Sequence, residues 1–197
     1  MLDFPEDPKK IRARIRRYER KLRGEKADFG MINDGAGKRY FLGPLYLLMS
    51  DLEGAIDAYR WYEAEFPDDS GEAGHHLCWS LALYRSGDKD AARSKLQHTM
   101  LLNVYLIPEL LDEPQEEIEM WHGCNRSEIQ YLEYVPEEFL NLWDQAARDW
   151  AREQYESLEF QRVRDRFIAI NKELLSLPRV GPERRALVEE IGRLRGR

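Results

Sequence analysis

Two stretches of this sequence superpose when one of them is shifted by 37 residues, and this repetition limits the possible folds. The shift places residues 86–92 on residues 49–55 and Leu83 on Tyr46. Each stretch contains two apolar-periodic segments joined by a short polar turn, which predicts an antiparallel pair of helices. Because such a pair buries its apolar face against the next pair, the chain is expected to be an array of helix hairpins.

Helical periodicity extends over nearly the whole chain, and no stretch shows a convincing strand pattern. Helices are predicted at 7–24, 43–49, 51–66, 72–85, 88–103, 127–155, 158–177 and 182–194. The sixth range is expected to break at Val135-Pro136, which predicts a third helix pair made of 128–134 and 136–154. Pro44 is expected to kink the second helix, and residues 104–111 are expected to be extended. The fold class predicted from these patterns is all-α, a short antiparallel hairpin array with flanking N- and C-terminal helices.

The first repeat carries a recognisable set of spaced residues. These are Leu42, Gly43, Tyr46, Ala55, Tyr59 and Pro67. Their spacing resembles the signature of the tetratricopeptide repeat (TPR), with Arg39 where that signature prefers tryptophan. The second repeat is degenerate, since Ser80 replaces the glycine, and the resemblance covers residues 36–104. It implies an α–α superhelix that binds protein, and it implies no catalytic activity.

The repeat positions also have a direct physical interpretation. Small residues at Gly43 and Ala55 allow the two helices of a pair to approach closely. Tyr46, Tyr59 and Phe66 are then expected to fill the space between them. The sequence therefore predicts a hairpin core built from these five positions.

Charge divides the chain into three parts. Residues 1–26 carry ten Lys and Arg against five Asp and Glu, and residues 158–197 carry ten against six. The net charge of -7 therefore places a strongly acidic body at 27–157. The predicted domains are a basic amphipathic helix at 1–26, the repeat body at 27–157, and basic helices at 158–197 that pack on the body.

Composition sets the expected compartment. The chain has two cysteines, too few for a disulfide framework. Its apolar runs are far shorter than the roughly 20 residues of a membrane span, and the N-terminus shows no secretory pattern. A cytoplasmic protein without membrane association is therefore expected.

The segment "NDGAGKRY", residues 33–40, has the look of a phosphate-binding loop. A P-loop requires a glycine five residues before the Gly-Lys pair and a Ser or Thr after the lysine. Ile32 and Arg39 occupy those two positions. The segment is therefore predicted to be a turn that caps a helix, whose Lys38 and Arg39 can attract an anion in a generic way.

Metal binding and catalysis find little support in the residue patterns. Two short His/Cys pairs, His75 with Cys78 and His122 with Cys124, match no familiar zinc spacing. The sequence lacks a Gly-x-Ser-x-Gly elbow, and its histidines have no evident nucleophile beside them. The expectation is a protein without metal, cofactor or enzymatic activity.

Protein binding is the leading functional interpretation. In a repeat array the first helix of each pair lines a concave groove. The positions predicted to face it are Tyr40, Pro44, Leu47, Leu77, Leu81 and Tyr84. Because this groove is apolar, its occupant is expected to be a partner segment, a second copy, or the chain's own terminal helices, among them the stripe Ile11, Ile15, Tyr18 and Leu22.

An anion-binding or nucleic-acid-binding accessory protein is the alternative. Its contact residues would be Arg12, Arg14, Arg16, Arg17, Arg20 and Lys21. An isoelectric point near 5.3 and the lack of stacking aromatics among these residues make nucleic acid the less favoured partner. Pairing of the basic helix with the acidic body is the simplest structural interpretation of the same charges.

Overall fold

A computed structural model describes residues 7–196, and within that range the chain is helical with no strand. The predicted segments 1–26 and 158–197 each extend beyond this range, at residues 1–6 and at Arg197. The α-helices are α1 (Pro8–Phe29), α2 (Arg39–Leu48), α3 (Leu52–Glu65), α4 (Ala73–Ser86), α5 (Lys89–Leu102), α6 (Leu106–Leu110), α7 (Glu137–Asn141), α8 (Gln145–Glu156), α9 (Leu158–Ser176) and α10 (Pro182–Leu194). Two 3₁₀ segments, Asn125–Ser127 and Ile129–Tyr134, lie between α6 and α7.

The described residues form two compact units. The first extends up to Lys95 and includes Pro136–Asp144, and the second comprises Leu96–Val135 and the chain from Gln145 onwards. The first unit therefore contains α1–α4, the start of α5, and α7. The boundaries predicted at residues 26 and 157 follow the distribution of charge. The two units are defined by packing, and their boundaries lie elsewhere in the chain.

Helix α1 is longer than its sequence predicts. Asp7 caps its start by accepting a hydrogen bond from the Lys9 backbone N–H at 2.8 Å. The predicted end at Gly24 is wrong, since the helix continues to Phe29 and Gly30 closes it in the left-handed conformation. An internal glycine costs a helix only about 1 kcal/mol, and the Lys26 ammonium in the added turn contacts a carboxylate of α3.

Helices α2 and α3 pack closely because glycine leaves room for tyrosine rings. A methyl group added at Gly43 would lie 2.3 Å from the Tyr59 ring, and one added at Gly54 would lie 2.5 Å from the Tyr46 ring. Both distances are well inside van der Waals contact. The predicted role of Gly43 as the point of close approach is confirmed.

The turns inside the two helix pairs have the same construction, 37 residues apart. Ser50 and Gly87 each adopt a positive φ, 55° and 90° respectively. Asp51 then accepts a hydrogen bond from the Gly54 N–H at 2.9 Å, and Asp88 accepts one from the Ala91 N–H at 3.1 Å. Each aspartate caps the second helix of its pair, as the sequence repetition predicts.

The second pair replaces a glycine contact by a hydrogen bond. Ser80 occupies the position equivalent to Gly43, and its hydroxyl donates to the Ala92 carbonyl at 2.8 Å. Both residues are fully buried. Ala92 is itself the equivalent of Ala55, so the small-residue positions of the repeat face each other across this pair.

Helix α4 is buried around its whole circumference along its first ten residues, Ala73 to Ala82. Such a helix is a central element of a core rather than a surface helix. In the same unit, α4 packs against α2, α3 and α7.

Three expectations between residues 104 and 155 are corrected. Residues 106–110 form the short helix α6 instead of an extended stretch, and the first helix of the expected third pair is a 3₁₀ segment. The second helix of that pair is interrupted at Trp143-Asp144, which separates α7 from α8. The third pair therefore does not repeat the geometry of the first two.

In the second unit, arginines satisfy carbonyl groups at the ends of helices. Arg148 and Arg152 of α8 donate to the carbonyls of Leu110 and Leu111 at the end of α6. Arg195, just beyond α10, donates to the Leu101 carbonyl at the end of α5 at 2.6 Å. Cations at helix C-termini complete hydrogen bonds that the helix leaves open and oppose its dipole.

Candidate functional site

In the glycine-rich segment 33–40, the side chain of Asp34 binds where a nucleotide-binding loop would hold a phosphate. The buried Asp34 carboxylate accepts a hydrogen bond from the Arg39 backbone N–H at 2.7 Å and one from the Lys38 ammonium at 3.1 Å. A carboxylate thus occupies the N-terminus of α2, where a phosphate would sit in a nucleotide-binding loop. The prediction of a helix-capping turn is confirmed.

A second carboxylate, Asp69 from the loop after α3, closes the same region. It accepts hydrogen bonds from the Arg39 Nε at 2.7 Å, the Tyr40 hydroxyl at 2.8 Å and the Gly71 N–H at 3.1 Å. Burial opposes ionisation of Asp69, but these donors outweigh it and hold the pKa of the carboxyl below its usual value. Sequence reasoning missed this network because its members are 30 residues apart.

His75 of α4 completes a hydrogen bond that Pro44 removes from α2. Pro44 has no N–H, so the Tyr40 carbonyl four residues earlier lacks its helical donor. The His75 Nδ1 lies 3.0 Å from that carbonyl oxygen and donates to it. The rings of Tyr59 and Tyr62 contact the imidazole edge-on, with centroids 5.1 Å and 4.6 Å away. Burial lowers the pKa of His75 to about 4, so the side chain is neutral near pH 7.

The four residues of the short His/Cys pairs belong to different parts of the chain. His75 and Cys78 lie in α4 of the first unit, whereas His122 and Cys124 lie in a loop of the second. Across residues 7–196, no group of three or more His, Cys, Asp or Glu side chains has an arrangement that would hold a metal ion. Cys78 is fully buried, and burial raises the pKa of its thiol, while Cys124 is exposed.

The residues predicted to line a concave groove lie mainly in the core. Tyr40, Leu47, Leu77 and Leu81 are buried, and Leu77 and Leu81 are completely inaccessible to solvent. Tyr84 is half-buried and lies under the Lys89 ammonium. The four buried side chains therefore line no exposed groove, because packing covers the apolar faces that periodicity had assigned to it.

The apolar stripe of α1 is part of this cover. Ile11, Ile15 and Leu22 belong to the same buried cluster as Tyr40 and Leu47. The N-terminal helix therefore packs on α2, the first helix of the first repeat, as one of the expected arrangements.

The opposite face of α1 is basic and exposed. It presents Lys9, Lys10, Arg12, Arg16, Arg17, Arg20 and Lys21. None of these seven forms an ion pair with a side chain in the described part of the chain, although Arg17 lies 5.5 Å from the Tyr18 ring. Arg14, the remaining residue predicted to bind anions, is half-buried and has interactions of its own. The structure therefore does not pair this face with the acidic body.

Comparisons with known proteins give no match that could assign a function to these residues. No family model, curated protein or solved structure matches this chain. Of the helices between residues 7 and 196, none combines the length and apolar character needed to cross a membrane.

Proposed function

We propose that this chain is a non-enzymatic, TPR-like helical adaptor of the cytoplasm that binds a partner protein through the basic face of α1. The observation that carries the proposal is an exposed row of cations on a helix whose other face is anchored in the core. The inner face of α1 is held in the core, and within residues 7–196 none of the seven cations on its outer face pairs with a carboxylate. This outer face is suited to an acidic segment of a partner.

The dimensions of the face match a protein contact. From Lys9 to Lys21 a helix rises about 18 Å, at 1.5 Å per residue. Binding a partner would break no ion pair of these cations with the described part of the chain. They also accelerate encounter with an acidic surface and disfavour partners of the same charge.

The TPR-like assignment is supported by equivalent positions in the two helix pairs. Ser50 and Gly87 share the left-handed conformation, and Asp51 and Asp88 share the capping role. These features recur at the period found in the sequence. The content of only two cysteines, too few for a disulfide framework, favours a reducing compartment such as the cytoplasm.

Nucleic-acid binding is a second candidate, since a helix with seven exposed cations also fits a phosphate backbone. Salt weakens both kinds of contact, but binding to nucleic acid has the steeper dependence and is removed by nuclease. Affinity for a duplex falls steeply with salt, because each neutralised phosphate contributes a slope of about -0.9 in a plot of log affinity against log salt.

Capture by charge-reversed variants tests the proposal. The tagged wild-type chain, Arg16→Glu/Arg20→Glu and the matched control Arg162→Glu/Arg185→Glu would each be incubated with native lysate. Arg162 and Arg185 are exposed basic residues of α9 and α10. Nuclease treatment and low- or high-salt washes would precede mass spectrometry and a 260 to 280 nm absorbance ratio.

The expected result is a stoichiometric protein that survives nuclease, is retained by the control, and is lost with the α1 variant. A protein retained equally by all three chains would contradict the role of this face. Nucleic acid that leaves with salt and with the α1 variant would establish the second candidate. Light scattering of the purified chain would reveal whether the captured partner is a second copy.

A further inference from the structure

A cavity of about 310 Å³ opens between α1, α2 and α3. Leu22, Leu42 and Ala58 form its buried floor, and the half-buried rings of Tyr46 and Trp61 form part of its wall. Ligand sites in proteins range upward from about 300 Å³. The cavity is at the lower end of that range and has room for one bulky side chain.

The charged groups at the rim of the cavity already have partners. Glu19 accepts a hydrogen bond from the Tyr46 hydroxyl at 2.7 Å and lies 3.7 Å from Arg23. Asp57 lies 3.3 Å from Arg60. The rim thus offers no unpaired carboxylate for a cation. An apolar side chain that enters the cavity would contact Leu42, Ala58 and the half-buried ring of Trp61. An apolar centre inside a polar ring is the usual anatomy of an interface anchor.

The cavity adjoins the basic face of α1. Residues three, four and seven positions apart share one side of a helix. Arg12, Arg16 and Arg23 therefore lie along the same flank of α1 as Glu19. Arg23 lines the cavity, and the exposed Arg16 and Arg12 lie about two and three turns before it in the helix. A segment that inserts a side chain here meets guanidinium groups on one side, and charge complementarity requires acidic residues on that side of the occupant.

We propose that this cavity is the anchor pocket of the α1 interface and receives one bulky apolar side chain from an acidic segment of the partner protein. The inference rests on the proposed function and deepens it by giving the partner two features, a run of carboxylates and a single apolar anchor. Nucleic acid supplies the charge but no such side chain, so it becomes an outcome of the test.

The expected contribution of the anchor follows from its burial. Removing a leucine side chain from water contributes enough to change a dissociation constant about 10- to 100-fold. The contribution of the basic face is separate. It is shared by any acidic segment and weakens as salt increases.

Two labelled peptides separate these contributions. Both are rich in glutamate and identical except at the central position, which is leucine in one and alanine in the other. Fluorescence anisotropy would measure their binding to the full chain and to Ala58→Leu, Trp61→Ala and Arg16→Glu. Ala58→Leu fills the cavity, and Trp61→Ala removes part of its wall. Circular dichroism would check that each variant folds, and either variant alone is enough for the test if the other does not.

The expected result is that wild type binds the leucine peptide about 10- to 100-fold more tightly than the alanine peptide. Ala58→Leu and Trp61→Ala should reduce this preference, whereas Arg16→Glu should weaken both peptides equally. Equal affinity of wild type for the two peptides, with loss of both in Arg16→Glu, would overturn the pocket and leave the proposed function standing. Failure of both peptides to bind would overturn both, and binding of a 20-base-pair duplex instead would transfer the function to nucleic acid.

Discussion

Acidification should destabilise the first unit through His75, because the folded chain resists protonation of this side chain. The imidazole is buried at 2% exposure and donates its Nδ1–H to the Tyr40 carbonyl. Its pKa is about 4 in the folded chain, against an ordinary value of 6.5. Between these two values the unfolded chain takes up a proton that the folded chain does not, so stability decreases as the pH falls.

The size of the effect follows from the separation of the two pKa values of His75. Each pKa unit corresponds to 1.36 kcal/mol, and the linkage relation gives a loss of about 2 kcal/mol at pH 5 and about 3 kcal/mol at pH 4. At pH 7 the contribution is close to zero, since both states are then mostly neutral. Against a total stability of about 5–15 kcal/mol, this loss is readily measured.

The assay is urea unfolding of wild type and His75→Asn at pH 7, 6, 5 and 4, followed by circular dichroism and tryptophan fluorescence. Asparagine keeps an N–H donor and does not titrate. The stability gap between the two proteins should therefore narrow by about 2 kcal/mol between pH 7 and pH 5. Leu77→Ala, a destabilising core variant in the same helix, should keep a constant offset from wild type. Parallel curves for wild type and His75→Asn would refute the reasoning.

Three further predictions concern stability and reactivity. Gly43→Ala should destabilise the chain by about 1–3 kcal/mol in urea unfolding, because the added methyl group meets the buried Tyr59 ring. Gly24→Ala is the control and should stabilise the chain by about 0.5–1 kcal/mol, since the space around Gly24 is open. Equal effects of the two substitutions would contradict the close packing of α2 on α3. Asp34→Ala should destabilise by about 1–3 kcal/mol in the same assay, since the half-buried N–H of Arg39 loses its acceptor. A neutral result would show that the turn does not depend on this carboxylate. Ellman's reagent should label Cys124 in the folded chain and Cys78 only on unfolding, and rapid labelling of both would contradict the burial of α4.

The parts of the fold that sequence predicts well are governed by local chemistry. Asp51 and Asp88 follow turns and precede apolar-periodic runs, which is the pattern of an N-cap. Gly43 and Ala55 stand out as small residues among large ones at helical spacing. Such features need no knowledge of distant residues, and the structure places the caps and the close approach where they are expected.

The contacts that sequence misses join residues far apart in the chain. His75 and Tyr40 are 35 residues apart, and no spacing rule connects a proline to the histidine that replaces its missing donor. The groove residues Leu77 and Leu81 illustrate a different failure. Periodicity shows that a face is apolar and cannot show whether another helix covers it.

The sequence nevertheless contains one signal for the burial of Leu77 and Leu81. The stretch Ala73–Ala82 contains no Lys, Arg, Asp or Glu on any face, although exposed helices need such a polar stripe. A helix of this composition is expected at the centre of a core. The cavity between α1, α2 and α3 had no comparable signal, because it depends on where three helices cross.

The double role of α1 affects how its contribution can be dissected. Ile11, Ile15 and Leu22 on its inner face are at most 4% exposed, so the helix is a structural member of its unit as well as the carrier of the cations. A truncated chain lacking α1 would uncover apolar residues of the cluster that α1 shares with α2 and become prone to aggregate. Its failure to bind would not distinguish a lost contact from a lost fold. Natural variation should show the same asymmetry, with the inner positions restricted to apolar residues and the outer ones free to change with the partner.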